Sequence, residues 1–163
     1  MRLRAAYAFF RRRSGAALAP VGISSDQFVL LTVLAHNGPA TQQQLVEKCY
    51  SDTVTLGSML ALLEKRGLIR RKAHAKDGRA WMVSLTAAGS DLQKESWNQS
   101  ESIRTSLAKL YSPEEAAILF QLLDRAIETM KPRRKRARTQ SVSSPNGIHQ
   151  SKRPSILEQC LKI

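Results

Sequence analysis

Cysteine is scarce: the 163 residues contain two, Cys49 and Cys160, and no CxxC pair. That excludes a disulfide scaffold and a cysteine-rich zinc site. Histidine is equally sparse, and His36, His74 and His149 stand in different segments without the spacing of metal ligands. No glycine-rich loop follows a strand, and no Ser-His-Asp or Cys-His set is suggested. An enzyme is therefore not expected, and no catalytic residue, metal or cofactor is assigned. No run approaches the roughly 18 apolar residues of a membrane span. Near the N-terminus the apolar stretch Ala5 to Phe10 is stopped by Arg11, Arg12 and Arg13, which makes a poor signal peptide. No membrane partner is expected, and a reducing, cytoplasmic setting fits. Acidic residues are few as well, 13 against 26 Lys+Arg, so the formal net charge is +13.

What is present is enough for a core. Hydrophobic residues make up 42% of the chain, and the length suits one domain with a tail. The charge is uneven. Residues 1–132 hold 18 Lys+Arg against 12 Asp+Glu, whereas residues 133–163 hold 8 against 1. The last fifth thus carries more than half of the excess. Ser, Pro, Gly and Gln fill its middle, and it cannot bury enough surface to offset chain entropy. Residues 132–163 are expected to form a basic, disordered tail, with Pro132 as the helix stop.

Before that tail, the periodicity predicts helices and one short hairpin. A first helix spans 2–19, with Leu3, Tyr7, Phe10 and Leu18 available for burial. Ser24 and Gln27 have capping-box spacing and open a helix that ends at Asn37-Gly38-Pro39. Thr41 and Gln44 repeat that spacing and open a short helix, 41–48. After Cys49-Tyr50-Ser51, either Ser51 or Asp52 caps a helix with the apolar stripe Leu56, Met59, Leu60 and Leu63, stopped by Gly67. Residues 68–73 and 80–85 then read as strands, with Asp77-Gly78 as the turn signal and Trp81, Val83 and Leu85 on one face. Thr86 caps a long helix over about 87–110. Ser112-Pro113-Glu114-Glu115 opens a last helix over 113–131.

Helix, helix, short turn, helix, hairpin is the order of a winged helix-turn-helix. In that unit the second helix of the pair needs an apolar back and a polar front to enter a major groove. Here the front offers Ser51, Thr53, Thr55 and Ser58. Thr41 and Gln42, at the head of the preceding helix, are further candidate DNA contacts. The wing adds Arg71, Lys76, Asp77 and Arg79. An arginine at a wing tip can enter a narrow minor groove, and Asp77 can pair with it to fix its aim. Read without function, these hydroxyls only cap and solvate a helix, and the charged tip is a solvated turn. Cys49 falls in the bend, where a small buried thiol is expected rather than a redox sensor.

At this point the chain resembles the MarR family of bacterial transcription regulators. The likeness rests on Leu-Glu-Lys-Arg-Gly-Leu-Ile at 63–69, Asp-x-Arg at 77–79, Leu-Thr-x-x-Gly at 85–89, and Leu-Tyr-Ser-Pro-Glu-Glu at 110–115. It covers about residues 3–131. The resemblance implies a mainly α fold, with a winged lobe over 24–86 carrying a two-stranded hairpin wing. It also implies dimerisation helices over 1–23 and 87–131. The family's wing Asp and Arg match Asp77 and Arg79. Its recognition helix usually reads Ser-Thr-Val-Thr-Arg, where this chain has Val54, Thr55, Leu56, Gly57 and Ser58. The aromatics Tyr7, Phe10, Phe28 and Trp97 are read either as core or as the lining of an effector cavity. The expectation is a cytoplasmic homodimeric repressor of a palindromic operator in double-stranded DNA, relieved by a small aromatic or lipophilic effector. The alternatives are a sequence-tolerant architectural protein and a winged-helix protein-interaction module.

Overall fold

The computed structural model describes residues 1–74 and 77–130, and the side chains at 74–79 lie outside that description. The expected basic tail and the Lys76, Asp77 and Arg79 side chains therefore fall outside the described residues. The elements in order are α1 Arg2–Leu18, a 3-10 turn Ala19–Val21, α2 Ser25–Asn37, β1 Ala40–Thr41, α3 Gln42–Lys48 and α4 Thr53–Lys65. They continue with β2 Ile69–His74, β3 Asp77–Leu85, α5 Ala87–Gln99, α6 Glu101–Ala108 and α7 Pro113–Met130. The chain divides into two compact units, Met1–Ile103 and the part from Arg104 onward.

The helix starts follow local chemistry. The Ser24 hydroxyl accepts from the Gln27 N–H at 3.2 Å, and the Gln27 side chain accepts from the Ser24 N–H at 3.0 Å. Thr41 and Gln44 make the same reciprocal pair at the head of α3. Ser112 and Glu115 do so ahead of α7. Each box satisfies two backbone donors that a helix N-terminus otherwise leaves orphaned. The core of the first unit is aliphatic. Leu18 from α1, Leu30 and Leu31 from α2, Leu45 from α3, and Leu56, Leu60 and Leu63 from α4 are fully buried, with Val83 of β3 at 1%. The α4 side chains among them help seat that helix on α3 and β2 and so set the direction in which its outer side faces.

Four expectations are corrected. The sheet has three strands, not two: its order is β1-β3-β2, and Ala40 and Thr41 pair with Val83 and Met82. Two residues carry no readable period, so β1 was invisible in the sequence. The hairpin turn also moves. His74 pairs with Asp77, so Asp77-Gly78 begins the return strand rather than forming the turn. Trp81, expected on one face with Val83, is 57% exposed whereas Val83 is buried. Finally, the long helix over 87–110 breaks after Gln99. Ser96 and Ser100 donate their hydroxyls to the carbonyls of Leu92 and Trp97, and Ile103 N bonds Ser100 O in a tight turn. Side chains that bond their own backbone compete with helix propagation.

On α1, Leu18 is buried, whereas Leu3, Tyr7 and Phe10 are exposed. On α7, Ile118, Leu122 and Met130 are exposed too. Among the described residues no single helix is long and apolar enough to cross a membrane.

Candidate nucleic-acid interface

The helix-turn-helix is built from α3, the bend Cys49 to Asp52, and α4. Asp52, not Ser51, is the cap of α4. Its carboxylate accepts from Thr55 N–H at 2.8 Å and from the Thr55 hydroxyl at 2.7 Å. Ser51 is half-buried, and its hydroxyl reaches Asp52 O at 3.5 Å. Tyr50 turns the chain with φ +49°, a left-handed conformation unusual for a bulky residue. Cys49 is half-buried, and burial pushes its thiol up to about 11 despite the neighbouring Lys48. A thiol so far from ionisation is a poor nucleophile, which fits the packing role expected for it.

The Thr55 N–H, and after it the Thr55 hydroxyl, hold the Asp52 carboxyl below its ordinary range. A lowered folded-state value means that this stabilisation is fully present above the usual carboxylate range and is lost as pH falls through the folded value. Acidification below about pH 4 is therefore expected to fray α4 in the wild type. Asp52→Asn keeps a good cap without a titrating group and should lose that part of the response. Circular dichroism of both proteins along an acid titration checks it, and superimposable curves would contradict it.

The candidate contacts among the described residues have these places. Thr41 is the half-buried cap of α3, and Gln42 lies half-buried beside it, its amide donating to Thr53 O at 3.4 Å. Gln42 thereby ties the head of α3 to the head of α4. Thr53, Thr55 and Ser58 are all exposed on α4. The Ser58 hydroxyl donates to Val54 O at 3.1 Å. Arg71 is half-buried, and its guanidinium pairs with Glu64 at 3.1 Å, which joins β2 to α4. Arg70 donates to Ser84 at 3.2 Å, and Lys72 is exposed. The backbone of β3 puts Asp77 and Arg79 two residues apart on the return strand, beside the hairpin turn.

The four aromatic candidates separate. Phe28 and Trp97 are half-buried with ring centroids 6.3 Å apart, and His36 lies 6.4 Å from Trp97. Tyr7 instead borders a shallow open depression along α1 with Arg4, Ala8, Arg11, Arg12 and Gly15. Phe10 is exposed on the same helix. Among the described residues no cluster of His, Cys, Asp or Glu could hold a metal ion. Sequence reasoning missed one surface residue on α4, Val54, which is 79% exposed. The signal was available: Val54 stands across the helix from Leu56, Leu60 and Leu63 at helical spacing.

Comparison with known proteins fits this geometry. The model of the MarR family matches residues 23–81, the stretch from α2 into the second wing strand. Transcriptional regulator HosA of Escherichia coli O127:H6 is 30% identical over 107 residues, which are 66% of this chain and 79% of that protein. The chain belongs to the MarR family. Like other members, it is a winged-helix transcription regulator that binds DNA. Among solved structures, a mutant of Escherichia coli MarR complexed with operator DNA has a TM-score of 0.69 at 23% identity, covering 77% of this chain and 90% of that one. That likeness is one of fold. NadR in complex with 4-hydroxyphenylacetate has a TM-score of 0.68 at 25% identity, covering 76% of this chain and 88% of the other. The three-stranded sheet and the α3–α4 pair are thus the winged helix of a MarR-family protein.

Proposed function

We propose that this MarR-family protein is a cytoplasmic homodimeric repressor that reads a palindromic operator and is released by a small aromatic effector. One observation carries the DNA part of the reading: α4 is fixed to the core by Leu56, Leu60 and Leu63 while its opposite side stays exposed beside a basic wing. Residues 24–86 are the DNA-binding lobe. Thr53, Thr55 and Ser58 face base edges. Thr41, Gln42 and Ser51 contact the phosphate backbone at the helix heads. Arg71, Lys76 and Arg79 serve the wing, with Asp77 orienting Arg79. Residues 1–23 and 87–131 form the dimer. Its support is the exposed apolar surface on α1 and on α7. The effector is assigned to the neighbourhood of Phe28 and Trp97. The aromatic acid bound by NadR supports that class of ligand.

The test uses the full chain. Selection from random duplexes should enrich one palindrome with half-sites about 10 bp apart, centre to centre. That palindrome should bind ~10³-fold or more tightly than random DNA. Light scattering should give a dimer at micromolar concentration. Arg79→Ala should weaken binding by about 1–3 kcal/mol with unchanged helicity. A monomer, or a protein indifferent to sequence, would overturn the reading. Indifference to sequence with tight binding would favour an architectural role, which the net charge of +13 would serve.

A further inference from the structure

The outer ridge of α4 is poor in free hydrogen-bond donors. With Leu56, Leu60 and Leu63 buried, helical spacing puts Val54, Ser58, Ala61 and Lys65 on the opposite side, and all four are exposed. Val54 is the second residue of α4, in the N-terminal turn through which a recognition helix meets base edges. Of the three hydroxyls around it, those of Thr55 and Ser58 are already engaged. Thr55 donates to Asp52 at 2.7 Å and Ser58 donates to the carbonyl of Val54 itself at 3.1 Å. Ser58 keeps its acceptor lone pairs. Val54 offers two methyl groups and nothing else. A β-branched apolar residue in this position gains nothing from the core, and valine is a poorer helix former than alanine. In the major groove, the apolar feature of a base pair is the thymine 5-methyl group.

We propose that Val54 is a specificity-determining residue that selects a T·A pair by packing its methyl groups against the thymine 5-methyl. The inference rests on the DNA-binding reading above and deepens it. Val54 then adds an apolar contact to the readout that the neighbouring hydroxyls make.

The experiment starts from the duplex that full-length protein enriches from a random pool. Each thymine is replaced in turn by deoxyuridine, which removes the methyl group and leaves the pairing edge intact. At one thymine per half-site, deoxyuridine should weaken wild-type binding about fourfold, the effect of about one buried methyl group. Val54→Ala should bind the thymine and deoxyuridine duplexes equally. Its circular dichroism should be unchanged, because the side chain is 79% exposed. Val54→Ser, which also lacks the two methyl groups, should behave in the same way. Wild-type indifference to deoxyuridine at every position overturns the proposal, as does a penalty that persists in Val54→Ala. Either result leaves the regulator reading standing, because the duplex is still preferred over random DNA. Enrichment of no duplex at all overturns both.

Discussion

Gly89→Ala is expected to cost about 3 kcal/mol of stability, near the top of the usual range for overpacking a closed interior. Gly89 is buried in the first turn of α5, and a Cβ there would land inside the van der Waals shell of the Leu68 carbonyl oxygen and close to its carbonyl carbon. That obstacle is backbone and cannot rotate away. It is also engaged, since Leu68 O accepts from Thr86 N at 3.1 Å. Thr86 in turn caps α5 through Gly89 N–H at 3.0 Å and donates its hydroxyl to Gly67 O at 2.7 Å. Moving any one of these groups strains the junction of α4, β2 and α5 together. The intrinsic helix gain of alanine over glycine, about 1 kcal/mol, offsets only part of this. Gly15→Ala is the matched control: nothing lies within 4 Å of the Cβ it would add, so it should stabilise α1 by up to that same amount. Urea unfolding of the three proteins measures both. A Gly89→Ala midpoint equal to wild type would mean that the contact relaxes at no cost.

Removing residues 133–163 is expected to have the largest effect on DNA binding. Residues 133–138 place five cationic side chains in six positions, and the whole segment carries a formal +7. Each phosphate that a cation neutralises releases condensed counterion, so log K falls with log salt by ~0.9 per contact. If all five engage, truncation lowers that slope by on the order of 4 to 5 and weakens binding to every duplex alike at low salt. The ranking of operator over random DNA should survive, because unspecific phosphate contacts carry no base information. Dimerisation and helicity should survive as well, since α7 ends at Met130. Titrations at several salt concentrations, on operator and random duplex, separate the outcomes. Equal slopes would make the segment a bystander. Loss of operator preference would mean that it takes up a fixed geometry on the DNA or on the lobe.

At the helix starts and stops, where the determinant is local, residue pattern and structure agree. The capping boxes at Ser24 and Thr41 and the stop at Gly67 depend on side chains within a few residues of one another. Gly67 takes φ +71°, which costs glycine little and other residues more. The stripe Leu56, Leu60 and Leu63 likewise follows from helical period alone. The family signature around the wing was legible for the same reason: its residues are contiguous in the chain.

The pairing of Ala40 and Thr41 with β3 was not legible, because its partners lie about forty positions away and two residues leave no period. Nor was the exposure of Trp81, which shares the alternation of the buried Val83. The break at Ser100 required knowing that two serine hydroxyls turn back onto their own helix. That the hydroxyls of Thr55 and Ser58 donate to Asp52 and to the carbonyl of Val54 was likewise visible only in the geometry. Short-range propensity and period thus determined the helix starts, the family likeness and the apolar back of α4. Long-range packing alone decided which strands pair and which side chains stay exposed, because burial depends on what the folded chain brings from elsewhere.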